Sequence, residues 1–195
     1  MSTDWEIPAL PDPQLDPMGW MLWTKYLHPE LRVRYERDDG YCGEDYFADV
    51  AFAAYKDFYQ IERQLLAQVQ EEPVLDVGCG GGRVALHLQQ RGIQVLGIDV
   101  SPGAALLSKI RGVAQVKRQS VLDLDASSGS WKAIVMIGNG TTIAGNLAEL
   151  RSILRFLRQL SPKGCMLVIT SLDIFSDVPP EHQQYQQRQK SLQRY

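Results

Sequence analysis

The chain has 195 residues, a length that fits one domain, and 45% of them are apolar, enough for a sizeable core. Its formal charge of −3 argues against a general nucleic-acid surface, it has no apolar run of membrane-spanning length, and its start does not read as a signal peptide. Cys42, Cys79 and Cys165 stand far apart, so neither a disulfide framework nor a zinc motif is implied, and a reducing, cytoplasmic location is expected.

Residues 1–19 hold Pro8, Pro11, Pro13 and Pro17 among acids and read as an extended or disordered arm. Trp20 to Leu27 is aromatic and reads as a helix, and the charged stretch from Arg32 to Gly40 reads as a solvated loop. From Tyr46 to Val69 apolar residues recur at spacings of three or four, through Val50, Ala54, Phe58, Ile61, Leu65 and Val69, which predicts one or two helices. Pro73 then marks the boundary into a sheet. Strands are expected at 73–77, 94–98, 114–118, 133–137 and 165–170, with helices at 82–91, 102–110 and 146–160 between them. In the last helix Leu147, Leu150, Ile153, Leu154, Leu157 and Leu160 are expected to face the sheet, while Arg151, Arg155 and Arg158 fall on a solvated arc. Right-handed crossovers make this an α/β fold, a doubly wound, mostly parallel sheet with its ligand at the carboxyl ends of the strands. The expected organisation is an arm and helical cap over 1–70, a nucleotide-binding core over 71–175, and a polar, glutamine-rich segment over 176–195.

Residues 74 to 82 read Val-Leu-Asp-Val-Gly-Cys-Gly-Gly-Gly, an apolar strand that carries an acid and breaks into a glycine loop. Twenty-one residues beyond Gly78, Asp99 closes a second apolar run, Val95-Leu96-Gly97-Ile98. Strand, glycine turn, helix, strand, acid is the layout of a nucleotide-binding βαβ unit. The glycines allow positive φ and close approach of a ligand to the main chain at a helix N-terminus. Asp76 offsets the positive field there, which suits a ligand with a cationic end, and Asp99 is placed to accept hydrogen bonds from ribose hydroxyls. Cys79 within the loop reads either as a reactive thiol or, preferably, as a small residue filling a tight turn.

The run Asp76-Val77-Gly78-Cys79-Gly80-Gly81-Gly82, with Gly97-Ile98-Asp99-Val100-Ser101, closely resembles the class I S-adenosylmethionine-dependent methyltransferases, and the resemblance extends from about Pro73 to Asp173. It implies S-adenosyl-L-methionine as cofactor. Gly78, Gly80 and Gly82, with Cys79 between them, would lie beside the methionine part, and Asp76 near the amino group. Asp99 would hold the ribose, Val100 and Ser101 would flank the adenine, and Val121 and Leu122 its edge. Asn139, in the glycine-rich run from Ile137 to Thr142, would orient the substrate or line the methionine tail, against the plainer reading of a turn-former. Two positions depart from the family: Ser120 where many relatives carry an acid, and Lys132 where an aspartate is common. The antiparallel strands with which that family ends its sheet are not evident here, which leaves the strand at 165–170 as an apolar edge. Its expected cover is the chain's own tail, a second copy or a partner chain.

No catalytic base stands out. His28, His87 and His182 are scattered, and with Tyr41, Asp45, Tyr46 and Tyr55 they read as packing residues before catalytic ones. The reading that results is an enzyme that moves a methyl group to a small-molecule acceptor by in-line displacement, with no metal, nucleic acid or membrane partner expected. Two alternatives stand beside it: a non-catalytic or truncated S-adenosylmethionine-binding module, and an NAD-dependent oxidoreductase. Against the second stand Asp76 ahead of the loop and the lack of a Tyr-Lys pair after the fourth strand of the core.

Overall fold

The computed structural model describes residues 10–45, 47–125, 130–173 and 178–192. The first helix, α1 (Pro17–Leu27), begins three residues earlier than its aromatic run suggested. Asp16 caps it, accepting the Gly19 N–H at 2.9 Å, and Pro17 takes the first helical position, where its missing N–H is no loss. The stretch from Arg32 to Gly40 is largely exposed, as expected, but it is not all loop. There β1 (Val33–Glu36) pairs antiparallel with β2 (Cys42–Asp45), with Tyr35 opposite Gly43, and Gly40 turns the chain at φ +80°. The Asp39-Gly40 step is a strong hairpin signal that the surrounding charges obscured. The segment before the core is therefore a mixed structure: α2 (Phe47–Phe52), a 3₁₀ turn at Tyr55–Asp57 and α3 (Gln60–Ala67) follow the hairpin.

The core runs β3 (Val74–Val77), α4 (Arg83–Gln90), β4 (Val95–Asp99), α5 (Pro102–Ile110), β5 (Gln115–Arg118), β6 (Ala133–Met136), α6 (Leu147–Leu160) and β7 (Met166–Ile169), with a 3₁₀ turn at Val121–Asp123 between β5 and β6. The strands form one parallel sheet in the order β5-β4-β3-β6-β7, so the chain runs outward from β3 to β5 and then returns to the other side. That reversal between β3 and β6 opens a crevice at the carboxyl ends of the strands. Val74, Leu75, Asp76 and Val77 are all buried, as a central strand covered on both faces requires. Val74, Val84, Leu88 and Val95 pack one face with Leu66 of α3, and Leu75, Ile98, Ile134, Ile153 and Leu157 pack the other. The arginines of α6 are exposed as expected, but Leu147 is 71% exposed, so the face turned to the sheet starts later than the leucine spacing implied.

Beyond β7 the chain forms α7 (Pro180–Ser191), which the glutamine-rich composition did not announce. Its contacts reach the β1–β2 hairpin: the His182 and Tyr41 rings lie 5.0 Å apart, and Tyr185 sits 4.3 Å from the Arg37 guanidinium. Among the described residues the edge strand β7 pairs with β6 alone, and its Met166 and Leu167 stay 37% and 44% exposed.

Helix α1 docks on the start of α5 through two bonds to one residue. Gly103 N–H donates to Asp16 at 2.8 Å, and the Trp23 indole donates to the Gly103 carbonyl at 2.9 Å. A Cβ on Gly103 would sit 2.8 Å from the Gly19 backbone, so the approach requires glycine. Burial pushes the Asp16 carboxyl up, but hydrogen bonds from Ser101, Gly103 and Gly19 outweigh it and leave it below its ordinary value. Its contribution is therefore full above the unfolded value of about 3.9 and is lost as pH falls through the lower folded value. Asp16→Ala is expected to cost about 1–3 kcal/mol at neutral pH, read as a lower thermal midpoint that the wild type approaches on acidification.

Candidate functional site

Asp76 and Asp99 stand at the carboxyl ends of neighbouring strands, and the glycine loop runs between them. Gly78, Gly80 and Gly82 all have positive φ, at +71°, +53° and +82°. The loop is tied to β4 by Gly78 and Cys79, whose N–H groups both donate to the Ile98 carbonyl, at 2.9 and 3.0 Å. Asp99 continues the tie: one carboxylate oxygen accepts the Gly80 N–H at 2.8 Å and the other the Ser101 N–H at 2.9 Å. Burial raises the Asp99 carboxyl above its ordinary range, and these amide bonds draw it part of the way back.

Asp76 is 2% exposed, and its Oδ2 has no hydrogen-bond partner among the described residues. Burial pushes its carboxyl up to about 7, against the pull of the nearby Arg83 and with a further push from Asp99. Arg83 opens α4, the wrong end of a helix for a cation. The position is stabilised from α3: Nη1 and Nη2 of Arg83 donate to the two oxygens of Glu62 at 2.9 and 2.7 Å, and the guanidinium lies 4.3 Å from the Phe58 ring. Both partners are buried. Neither was singled out from the sequence, where Glu62 passes as a polar helix residue; an arginine directly behind a glycine loop was the available signal.

A cleft of about 1690 Å³ lies over these strand ends. Of the residues picked out in the sequence, Asp76, Gly78, Cys79, Gly80, Asp99, Val100, Ser101, Val121, Leu122 and Asn139 line it, and Gly82 does not. Gly82 instead faces α5, where a Cβ would meet Ser108 and Val113 at 2.5 and 2.6 Å, while Gly81 borders the cleft. The Cys79 thiol is buried under the loop, 3.0 Å from the place a Cβ on Gly97 would take, and burial with the two carboxylates pushes it well above its ordinary value. It fills the turn and is no reactive thiol. Ser101 Oγ caps α5 through the Ala104 N–H, and Ser120 Oγ accepts the Leu122 N–H at 3.2 Å. Asn139 adopts φ +64° and its Oδ1 accepts the Leu172 N–H at 3.2 Å, so it joins the loops after β6 and β7.

The remaining candidates separate. His87 stacks on Tyr55 at 3.6 Å, away from the cleft, with its pKa lowered by burial, and His28 is exposed beside Glu30. Lys132 is exposed, 3.7 Å from Glu71. His182 and Tyr41 do border the cleft, together with Tyr35, which the sequence reading passed over. Tyr46 and the Asp45 side chain lie outside the described residues.

Two outcomes test this electrostatic arrangement. Glu62→Ala leaves the Arg83 guanidinium buried without its partner, and we expect a loss of about 3–5 kcal/mol in chemical denaturation. For Asp76 the sign is the reverse of Asp16: a raised carboxyl means the folded chain holds its proton longer, so the ligand-free protein loses stability as pH rises from about 4 to about 7 and stays at that lower level above. Asp76→Asn, which keeps the shape of the protonated acid, is expected to flatten that slope and to be the more stable chain at pH 8, by up to a few kcal/mol.

Residues 74–164 match the family model described as a methyltransferase domain. A ubiquinone biosynthesis O-methyltransferase of Xanthomonas oryzae is 32% identical over 103 residues, covering 50% of this chain and 42% of that protein. A probable cobalt-precorrin-6B C(15)-methyltransferase (decarboxylating) of Methanobrevibacter smithii is 31% identical over 109 residues, 54% of this chain and 57% of that one. Among solved structures, an S-adenosylmethionine-dependent methyltransferase from Bacteroides fragilis in complex with S-adenosyl-L-homocysteine superposes with a TM-score of 0.68 at 28% identity, over 82% of this chain and 65% of that one. The chain thus spans less than two thirds of the length of each of these relatives.

Proposed function

Because residues 74–164 of this chain are a Rossmann-like class I methyltransferase domain, we propose that the protein binds S-adenosylmethionine in the cleft and transfers its methyl group to a small-molecule acceptor. The observation that carries this reading is the pair of acids around the glycine loop, one of them with a buried, unpartnered oxygen. A loop with pyrophosphate as its ligand gains nothing from a buried carboxylate beside it. An α-amino group gains a partner: Asp76 Oδ2 is the acceptor such a cation would satisfy.

The other residues fit the same ligand. A Cβ on Gly78 would lie 2.7 Å from Ile143, and nothing stands within 4 Å of the Cβ position of Gly80, so the loop offers its backbone at close range. Asp99 accepts one amide N–H on each oxygen and keeps lone pairs for ribose hydroxyls. Val100 and Leu122 present exposed apolar side chains to the cleft for the adenine faces, and buried Val121 backs them. When bound, S-adenosylmethionine supplies an electrophilic methyl and a neutral thioether leaving group. The task left to the chain is to align an acceptor with the methyl and to keep water out. Ser120 contributes a turn-closing hydroxyl where relatives place an acid, so recognition of the adenine would rest on shape and on the backbone here.

The name of the Xanthomonas relative supports a hydroxyl oxygen as the acceptor atom. Calorimetry on the full chain checks the donor side: S-adenosylmethionine and S-adenosylhomocysteine are expected to bind, NAD is not, and Asp99→Ala is expected to weaken S-adenosylhomocysteine at least about tenfold. No heat with either sulfur ligand, or equal heat with NAD, would falsify the reading.

A further inference from the structure

The cleft does not end at the strand ends. It continues to the β1–β2 hairpin and the first turn of α7, two segments outside residues 74–164, and there Tyr35, Tyr41 and His182 border it together. Their rings form one group, with centres 6.2 Å apart for Tyr35 and Tyr41, 5.0 Å for Tyr41 and His182, and 6.5 Å for Tyr35 and His182. The group is built with some care. Gly43 stands opposite Tyr35, and a Cβ there would lie 2.7 Å from the phenol ring, so the glycine lets that ring lie across β2. Arg37 Nη1 is 2.8 Å from His182 Nδ1. A guanidinium only donates, so Nδ1 accepts, and in the neutral ring the proton sits on Nε2, which faces Tyr35 Oη at 3.4 Å.

The same arrangement absorbs the charge of Arg37. Its guanidinium bonds Asp39 at 3.1 and 3.0 Å and lies 4.2 Å from the Tyr41 ring and 4.3 Å from the Tyr185 ring. The carboxylate balances its charge and the rings cover it, so Arg37 does not line the cleft; Tyr35, Tyr41 and His182 do, beside Arg34 and Glu44, a pair of opposite charge that stand across from each other in the hairpin. A cluster that served only to pin α7 would be buried by its own contacts, whereas all three cleft-facing rings remain partly accessible. The exposed apolar side chains of Ile61 and Leu172 border the same space.

Resting on the methyl-transfer reading, we propose that this wall is the acceptor subsite, and that it takes a neutral, planar aromatic ring bearing a hydroxyl, a phenol or a catechol. The wall binds the ring by stacking and edge contacts. In the transfer, the acceptor's hydroxyl oxygen forms the bond to the methyl carbon, the carbon–sulfur bond breaks with its electron pair left on sulfur, and the hydroxyl proton passes to water. With Nδ1 engaged by Arg37 and Nε2 protonated, His182 is a positioning residue here and not the base.

The test titrates catechol, with cyclohexane-1,2-diol as its saturated control, into the full chain with and without S-adenosylhomocysteine, following tyrosine and histidine ring resonances. Catechol is expected to shift the rings of Tyr35, Tyr41 and His182, and the diol to leave them in place. Tyr41→Ala and His182→Ala are each expected to weaken catechol about tenfold, Tyr41→Phe to restore it, and S-adenosylhomocysteine affinity to stay within about twofold of wild type. Equal shifts with both diols, no catechol binding, or unchanged catechol affinity in both ring-removed variants overturns the proposal. If a variant does not fold, the wild-type ring shifts decide alone. Catechol binding at these rings in a chain that ignores S-adenosylhomocysteine would sink the donor reading and leave the wall standing.

Discussion

Asp99 accepts one backbone N–H on each of its carboxylate oxygens, from Gly80 in the loop after β3 and from Ser101 at the start of α5. Two segments that leave adjacent strands in the same direction are thereby held at a fixed separation. The hold extends outward: Ser101 caps α5 through Ala104, Asp16 receives the next amide, Gly103, and α1 follows Asp16 onto the core. A single acid at a strand end thus sets the mouth of the cleft and, through α5, the seat of the first helix. Three residues of the loop adopt positive φ, which only glycine does without strain, so the loop follows this tie rather than a preference of its own.

The second constraint is electrostatic. Asp76 is central in the sheet and has nowhere to expose its charge, and the nearby Arg83 is already engaged in a two-bond pair with Glu62. A cation free to swing would neutralise Asp76 and close the site to a charged ligand. Held by Glu62 and the Phe58 ring, Arg83 lowers the Asp76 carboxyl without bonding its Oδ2. In the proposed site the buried pair therefore does more than join α3 to α4: it leaves Asp76 Oδ2 unbonded at the loop, at the expense of stability that a hydrophobic pair would not forfeit.

What was legible in the sequence follows from the range of the forces involved. The order of strands and helices from Val74 to Ile169 is read correctly because four of the five strands are short apolar runs and the turns carry glycine or proline; the polar β5, Gln115–Arg118, is placed by its turn and by its position in the alternation. Asp76, Asp99 and the loop are readable for the same reason. The hairpin at 33–45 is not, although its Asp39-Gly40 turn is local, because the charges around that turn mask it and part of its cover comes from elsewhere: His182 approaches Tyr35 from more than 140 residues away. Glu62 and Arg83 form a contact that no periodicity encodes. Leu147 fails in the opposite sense, with the right spacing but a place in the first turn of α6, where it remains exposed.

The same division explains why the two sides of the cleft, to which we assign donor and acceptor, differ in kind. The donor side is made by backbone geometry and two acids at neighbouring strand ends, features that depend on strand order and survive changes in everything around them. The proposed acceptor side is made by side chains far apart in the sequence, brought together where α7 reaches back to β1–β2. A cleft assembled that way can change its acceptor by altering a hairpin and one helical turn, while the sheet, the glycine loop and Asp99 stay as they are. It also sets polarity where each half needs it: carboxylates beside the part of the cleft suited to a cationic donor, and neutral rings, with Arg37 already satisfied, where an uncharged acceptor would have to come close to it.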